Sequence, residues 1–394
     1  MLLPFVNKEA PFLIDKRCLK PAKRAGGNHP YSFFANKDKQ EVLMKNNLSQ
    51  IVQPLLDWYA AHARILPWRD EPTPYRVWVS EIMLQQTRVE AVKSYFERFT
   101  AELPSIAALA SAEEEPLMKL WEGLGYYSRV RNLQKAARQV MEHYDGNLPD
   151  DPQELMKLPG IGVYTAGAVA SIAYGKPVPA VDGNVLRVIA RVTASRANVS
   201  EAAVKSEIAD QLKEVYPPNH AGDFTQSLME LGAIVCLPNS PPKCEICPLA
   251  ALCAARKQGI AQELPMKTAK KPRKIEERTV FLITCCDKAA IEKRPTKGLL
   301  AGLWEFPSVS GALSPQQAGD LLKTWGVSPE QIELLPPSKH IFTHIEWRMT
   351  GYLVFAAPPT ESNRFVWAER RELIEQYTLP AAFKSFFDKF LGLT

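Results

Sequence analysis

The stretch LPGIGVYTAGAVASIAYGKPVPAVDGNVLRVIAR, residues 158–191, decides the fold of the chain. Residues 153–157, just before it, can form a short helix, for which Asp151 is a favourable N-cap. Gly160 and Gly162 allow the backbone to turn tightly before a second helix that is rich in small apolar residues. The stretch therefore predicts two helices joined by a hairpin, followed by a proline-bearing loop and a further helix.

The hairpin has two readings on its own. A helix N-terminus with free N–H groups beside glycines is suited to hold a phosphate, but the same residues could form a helical corner without a ligand. The loop that follows favours a functional site, because Asp182 stands in it between apolar segments. An acid there is costly to bury and well suited to face a developing positive charge.

This pattern resembles the helix-hairpin-helix, Gly/Pro-rich loop and Asp signature of DNA glycosylases of the endonuclease III superfamily, most of all the MutY-type adenine DNA glycosylases. Tyr164 discriminates within that superfamily. Bifunctional relatives carry a Lys at this point of the hairpin, whose amine attacks the sugar as a Schiff-base nucleophile. Since Tyr164 has no amine, the resemblance implies a monofunctional enzyme that relies on Asp182.

A second candidate acid lies in the block SEIMLQQT, residues 80–87, within a helix expected over residues 75–99. Most helical glutamates face solvent, but apolar residues surround Glu81 on its helix. The block matches the family, whose catalytic Glu falls on Glu81. Burial among apolar side chains raises the pKa of a carboxyl and lets it act as a general acid. The amides of Gln85 and Gln86 follow and are candidates to read base edges.

The resemblance implies further contacts with DNA and with the excised base. Taken alone, Tyr126 and Phe342 would more readily be assigned to the core, and His344 to the surface. Arg64, Arg69 and Gln226 are expected at the adenine pocket, Tyr126 as a wedge in the duplex, and Gly160 and Gly162 at the backbone. Phe342, Thr343 and His344 stand where the family carries the Phe-Ser-His that probes 8-oxoguanine, with Thr343 in place of the Ser.

Four of the seven cysteines form the pattern C-x7-C-x2-C-x5-C at Cys236, Cys244, Cys247 and Cys253. Such a cluster indicates a metal site, and zinc and a 4Fe–4S cluster are the two candidates. The family uses a 4Fe–4S cluster with six residues in the first gap, one fewer than here. We expect the 4Fe–4S cluster, with the additional residue accommodated in the loop.

The last third of the chain changes character. TVFLIT and YLVFAA are typical of β-strands, and GLLAGLWEFP, residues 298–307, resembles a segment of Nudix folds. The run of glutamates that would bind Mg²⁺ in a Nudix hydrolase does not follow it. The resemblance implies a Nudix-like α/β domain that senses 8-oxoguanine without hydrolase activity.

The positive charge of the chain is unevenly distributed. The net charge of +5 is contained in residues 1–48, and no apolar run reaches membrane-spanning length. We expect a multi-domain protein in which an all-α helix-hairpin-helix domain with an iron–sulfur loop precedes the Nudix-like α/β domain. Its parts are a basic, disordered arm (residues 1–48), a helical catalytic region (49–262), a basic linker (263–278) and the sensing domain (279–394).

Together these features predict a monomeric enzyme that removes adenine mispaired with 8-oxoguanine, or with guanine, from double-stranded DNA. Glu81 would protonate the base and Asp182 would stabilise the oxocarbenium-like sugar. Two alternatives stay open: a non-catalytic helix-hairpin-helix DNA-binding protein with structural zinc, and a bifunctional glycosylase/lyase. The expected location is the cytoplasm, with the nucleoid, in a bacterium and the nucleus or an organelle in a eukaryote, with no membrane association.

Overall fold

A computed structural model describes residues 48–269, 271–357 and 364–393. The predicted arm lies outside these residues except for Leu48. The first part of the described chain is helical. Its helices α1 to α13 are Val52–His62, Pro67–Asp70, Pro74–Leu84, Val89–Glu102, Ile106–Ser111, Glu114–Leu120, Ser128–His143, Pro152–Leu155, Val163–Ile172, Gly183–Val192, Ala202–Lys213, Ala221–Ile234 and Ala254–Lys257.

The predicted hairpin is present between α8 and α9. The Asp151 side chain accepts a hydrogen bond of 2.9 Å from the Gln153 amide, which confirms its role as N-cap. Gly160 has φ +81°, and a Cβ there would lie 2.9 Å from the Cβ of Asn132, so both conformation and space require glycine. Gly162 has an ordinary φ of −99°. The turn therefore depends on Gly160, and the prediction that Gly162 is also needed for it is wrong.

One predicted helix is divided in two by the structure. The single helix expected over residues 75–99 is two helices, α3 and α4. They are separated by a turn in which Gln86 takes φ +60°. Apolar spacing continues across this turn, which is why the sequence did not reveal the break.

The helical region contains two apolar cores. Trp78, Phe96 and Trp121 are fully buried in one core, while Phe224 and Leu231 belong to the other. A cleft between them is lined by Trp68 from the first core and by Met229, which packs against the second. Each wall of this cleft is therefore supported by a packed core.

The C-terminal part is a mixed β-sheet with helices on both faces. Strands β1 to β8 are Lys274–Cys285, Lys288–Lys293, Trp304–Glu305, Ser308–Ser310, Pro329–Leu334, Ser338–Ile341, Ile345–Ala356 and Val366–Glu369. Helices α14, α15 and α16 are Pro315–Thr324, Arg370–Glu375 and Lys384–Leu391, the last preceded by a 3₁₀ turn, Ala381–Phe383. The main strand order is β3-β2-β1-β7-β5. In addition, β4 pairs with β1, β6 pairs with β7 and β8 pairs with β2.

The centre of this sheet is the parallel pair of β1 and β7, in which Val280 lies opposite Gly351. Successive residues of β1 point to opposite faces. Val280 and Leu282 enter the core beneath α16, and Phe281 enters the core beneath α14. The sequence predicts the two long strands, but it missed α15. Part of the predicted linker, from Lys274 onward, belongs to β1.

The two parts of the chain touch directly. Lys119, at the end of α6, donates hydrogen bonds of 3.3 and 3.0 Å to the carbonyls of Leu373 and Tyr377. The Leu379 amide donates to Glu122 at 2.8 Å. These contacts fix the sheet domain against the helical region. Across the described ranges, none of the helices has the length and apolar character that a membrane crossing requires.

Candidate active site and cysteine site

The cleft between the helical cores contains a cavity of about 330 Å³. This volume lies within the range that small-molecule sites in proteins occupy. Eight of the predicted site residues line it: Glu81, Asp182, Tyr164, Arg64, Arg69, Gln85, Gln86 and Gln226. Residues more than a hundred positions apart in the sequence are therefore brought to one place.

Glu81 lies on α3, and only 6% of its surface is exposed. Burial raises its pKa to about 7, although the hydrogen bond from Tyr164 and the charge of Arg69 act in the opposite direction. The negative charge of Asp182 adds to the increase. The apolar surroundings inferred from the sequence thus have the expected electrostatic effect, and Glu81 can hold a proton near neutral pH.

Tyr164 lies on α9, and its hydroxyl donates a hydrogen bond to the Glu81 carboxylate. Burial, followed by the charges of Glu81 and Asp182, raises the pKa of Tyr164 well above its ordinary value. The hydroxyl therefore stays protonated and remains a donor. No lysine is among the described residues that line this cavity.

Asp182 is the N-cap of α10. One carboxylate oxygen accepts hydrogen bonds of 2.8 Å from the amides of Asn184 and Val185, and the other accepts 2.7 Å from the Asn184 side chain. Burial raises the pKa of Asp182, and these hydrogen bonds offset part of the increase. The position thus has a structural reason that the sequence interpretation missed. Asp182 still lines the same cavity as Glu81.

Glu230 is a site residue that sequence reasoning missed altogether. It lies on α12 with 1% of its side chain exposed, and it forms ion pairs with Arg64 and Arg69 at 2.6 and 3.0 Å. Arg69 also donates to the Gln226 side chain at 3.0 Å. The two arginines are therefore held within the protein. The only sequence signal for Glu230 is an acid on the mostly apolar face of a helix.

The amides at the end of α3 are less constrained. The Gln85 side chain lies 3.5 Å from the Thr165 hydroxyl, a long hydrogen bond, and Gln86 occupies the left-handed region. Both residues line the edge of the cavity. Gly160 does not line it. It borders a separate cavity of about 190 Å³ beside α7, which Gln85 also lines. Gly162 is at the N-cap of α9, with open space where a Cβ would stand.

Tyr126 and the C-terminal residues lie apart from the cavity but meet one another. Tyr126 has φ +48° and is 45% exposed, and its hydroxyl is hydrogen-bonded to the hydroxyl of Thr343. Phe342, Thr343 and His344 form the turn between β6 and β7. Phe342 packs edge-on against Trp347, with ring centroids 4.9 Å apart. The two predicted DNA probes therefore share one surface.

The four clustered cysteines are free and partly buried, and they line one small cavity. Arg191 donates a hydrogen bond of 3.1 Å to the sulfur of Cys236. The longer first gap is closed by a hydrogen bond of 3.0 Å from the Lys243 amide to the Val235 carbonyl. The additional residue therefore lies in a closed loop, and the thiols still converge.

The spacing of these thiols bears on the kind of metal. Within residues 48–269, 271–357 and 364–393, no three His, Cys, Asp or Glu side chains are gathered closely enough to hold a metal ion. A single zinc ion needs its four ligands around one point. In a 4Fe–4S cluster each thiolate binds a different iron, so the thiolates are further apart. The donor set itself, four thiols around one small cavity, suits either kind of centre.

Comparisons with known proteins agree with this architecture. Residues 79–218 match the family model of HhH-GPD superfamily base excision DNA repair proteins, and residues 279–389 match a NUDIX domain model. A solved thermostable thymine-DNA glycosylase is 28% identical, with a TM-score of 0.50 over 54% of this chain and 98% of its own. The fold and the cavity thus define a helix-hairpin-helix base-excision repair protein with an appended NUDIX-type domain.

Curated relatives narrow the class. The adenine DNA glycosylase of Rattus norvegicus is 37% identical over 375 residues, which cover 80% of this chain and 71% of the rat protein. That of Schizosaccharomyces pombe is 32% identical and covers 82% of this chain and 85% of its own. The chain belongs to the adenine DNA glycosylase family. It is an enzyme of base excision repair that removes adenine from DNA.

Proposed function

We propose that the cavity excises adenine that lies opposite 8-oxoguanine, or opposite guanine, in double-stranded DNA, and that the enzyme acts as a monomer. The observation that carries the proposal is the presence of two carboxyls, Glu81 and Asp182, in the lining of one cavity. Adenine must leave the base stack to enter it, at a cost of about a few kcal/mol. The rest of the reaction is divided between the two acids.

Glu81 acts as the general acid. With a pKa of about 7, a substantial fraction of Glu81 is protonated at neutral pH. It transfers its proton to N7 of adenine, so that the base leaves as a neutral molecule when the N-glycosidic bond breaks. The carboxylate that remains then accepts a proton from water, whose oxygen bonds to the sugar carbon C1′. Tyr164 orients Glu81 through its hydrogen bond throughout.

Asp182 stabilises the positive charge that develops on the sugar. Its carboxylate is fixed by three hydrogen bonds from Asn184 and Val185, so it needs no reorganisation as the charge forms. The strand is then released with an abasic sugar. The lyase alternative lacks support because the described lining of the cavity supplies no lysine amine to attack C1′.

We assign the recognition of 8-oxoguanine to the surface that Tyr126 and Thr343 share, apart from the cavity. 8-Oxoguanine carries a hydrogen on N7, where guanine has only an acceptor. The exposed hydroxyl of Thr343 can accept from that N7–H. A mismatch at such a contact costs about 1–3 kcal/mol, which is enough to discriminate roughly tenfold or more. Tyr126, bonded to Thr343 in the free protein, is placed to enter the duplex beside the lesion.

Cys236, Cys244, Cys247 and Cys253 would hold a 4Fe–4S cluster. When bound, the cluster supplies a cross-link between the end of α12 and the loop that leads to α13. The cavity that these thiols share and the closed loop at Lys243 support this assignment. Arg256, which lines the same cavity, is placed near the protein surface, where it can meet a phosphate.

The decisive experiment is single-turnover release of adenine from an 8-oxoguanine:adenine duplex, with strand cleavage followed in parallel. We expect adenine release that is lost in Glu81→Gln and in Asp182→Asn. Strand cleavage should appear only after heat or alkali. Near wild-type release by either variant would contradict the role of that residue, and cleavage that keeps pace with release would restore the lyase reading.

A further inference from the structure

Glu230 has no role in the reaction described above, yet it is the most heavily bonded acid of the cavity. Its carboxylate accepts hydrogen bonds of 2.6 and 2.8 Å from the Arg64 guanidinium, 3.1 Å from the Arg64 amide and 3.0 Å from Arg69. Its side chain is almost fully buried. Four donors therefore converge on one buried carboxylate, and the group is a buried ion-pair cluster rather than a surface ion pair.

The positions of the two arginines make their charge important for catalysis. Both line the same cavity as Glu81, and the positive charge of Arg69 favours the ionised form of Glu81. A general acid must carry its proton when the base arrives. If the charges of Arg64 and Arg69 were not balanced by an anion, a smaller fraction of the enzyme would have Glu81 protonated.

The other charged and titratable groups around these residues do not supply that counter-charge. Tyr164 and Asp182 face Glu81, the first as a neutral donor and the second as an acid that is already held by the start of α10. The guanidinium of Arg69 lies over the ring of Tyr59, 5.4 Å from its centroid, and Glu90 acts on Arg64 only at longer range. Of these groups, Glu230 alone bonds directly to both arginines.

We propose that Glu230 is a positioning residue that serves as the counter-anion of the adenine pocket. By pairing with Arg64 and Arg69 it keeps their charge from favouring the ionised form of Glu81, and it holds Arg69 where Arg69 donates to Gln226. This inference rests on the proposed role of Glu81 as general acid. A purely structural role, linking the segment before α2 to α12, would give the same contacts but no effect on proton transfer.

The ionisation of Glu230 itself supports the arrangement. Burial alone would raise its pKa, but the hydrogen bond from Arg64 and the charge of Arg69 outweigh burial and hold the pKa below its ordinary value. Glu230 is therefore negative at neutral pH. The three charges of the cluster leave one net positive charge beside Glu81.

The test is the pH dependence of single-turnover adenine release in the full-length protein, using an 8-oxoguanine:adenine duplex between about pH 5.5 and 9. The wild-type rate should fall above a midpoint near 7, where Glu81 loses its proton. Glu230→Gln keeps the shape of the side chain but leaves two positive charges. We expect its midpoint to move down by about half a pH unit or more. Relative to the wild type, its rate should then be roughly threefold lower at pH 8 and little changed at pH 6.

A double variant provides the matched control. Glu230→Gln with Arg64→Met returns the cluster to one net positive charge, and its midpoint should return towards that of the wild type. Arg64→Met alone leaves no net charge and should move the midpoint up. Because this variant retains the Glu230–Arg69 pair, it carries the test even if Glu230→Gln does not fold, and a downward shift in Arg64→Met would contradict the inference.

The possible failures can be told apart. If Glu230→Gln slows release equally at every pH, Glu230 is only a structural link and the inference is wrong. If the wild-type profile has no fall near pH 7, the role of Glu81 fails, and this inference fails with it. If the wild-type fall is present and is lost with Glu81→Gln, but does not move in Glu230→Gln, the proposed function stands and the inference alone is rejected.

Discussion

The hydroxyl of Tyr164 donates a hydrogen bond to the carboxylate of Glu81 inside the cavity that Asp182 also lines. A donor stabilises a carboxylate, so this bond lowers the pKa of Glu81, while burial raises it. Burial has the larger effect, so the pKa of Glu81 is about 7. The pair thus combines an acid that holds a proton near neutrality with a partner that fixes its direction.

Removal of this donor should shift the pH profile of catalysis upward. In Tyr164→Phe, burial acts on Glu81 without the opposing hydrogen bond, so its pKa should rise by about one unit, the equivalent of a hydrogen bond to a charged group. The fall in single-turnover adenine release should therefore move to higher pH. A downward shift would mean that Tyr164 does not stabilise the ionised form of Glu81.

Glu81 should also reduce the stability of the protein at alkaline pH. Because its pKa is raised from 4.5 to about 7, Glu81 contributes most favourably below pH 4.5, and this contribution is lost as the pH rises through 7. Glu81→Gln, which cannot ionise, should therefore be more stable than wild type by about 3 kcal/mol above pH 7 and by little near pH 4.5. Chemical unfolding at several pH values measures the difference, and a constant difference would refute the linkage.

Asp182 has two separable roles. Asp182→Asn retains an oxygen that can cap α10 but loses the negative charge, so excision should be abolished while duplex affinity stays within about tenfold. Asp182→Ala loses the cap as well and should cost a further ~1 kcal/mol of stability. Thermal unfolding of both variants, beside single-turnover rates, separates capping from catalysis. Measurable excision by Asp182→Asn would show that the charge is dispensable.

Local chemistry explains what the sequence could predict. The hairpin follows from Asp151 and Gly160, since each acts within a few residues of itself, and the burial of Glu81 follows from its helical neighbours. The two long strands follow from their β-branched and aromatic composition. In each case the sequence signal lies within about one turn of helix or one strand.

Long-range partners explain what the sequence could not predict. The pairing of Arg64 with Glu230 spans 166 positions, and that of Tyr126 with Thr343 spans 217. No pattern in a single sequence reports such distances. The break after α3 was missed for a different reason, because apolar side chains continue through a turn that only the φ of Gln86 reveals.

The cysteine site gives a prediction that does not depend on activity. Purified protein should be yellow-brown, with a broad visible absorbance and about four irons per chain, as a 4Fe–4S cluster requires. Cys247→Ser should lose the colour. Cys285→Ser and Cys286→Ser, which change the cysteines of the β1–β2 turn, should keep it. Colourless, folded and active protein with one zinc per chain would contradict the assignment.

The last prediction concerns the surface where Tyr126 meets Thr343. Thr343 differs from the serine of the family pattern by a methyl group and keeps the hydroxyl that can accept from N7–H of 8-oxoguanine. Phe342, packed against Trp347, and the hydrogen bond from the Lys274 amide to the His344 carbonyl hold the turn in place. The exposed side chains of Thr343 and His344 can therefore be changed with little effect on the domain.

We expect Thr343→Ala with His344→Ala to reduce the preference for 8-oxoguanine over guanine opposite adenine, by up to roughly tenfold, while the rate of the chemical step is retained. Thr343→Ser is the matched control, because it keeps the acceptor, and it should behave like the wild type. Deletion of residues 279–394 should erode the preference further. The measurement is the ratio of single-turnover rates and of affinities on the two duplexes. A ratio unchanged by the deletion would leave the C-terminal domain a structural role only, because no contact with the base opposite adenine would then be needed for the choice of substrate.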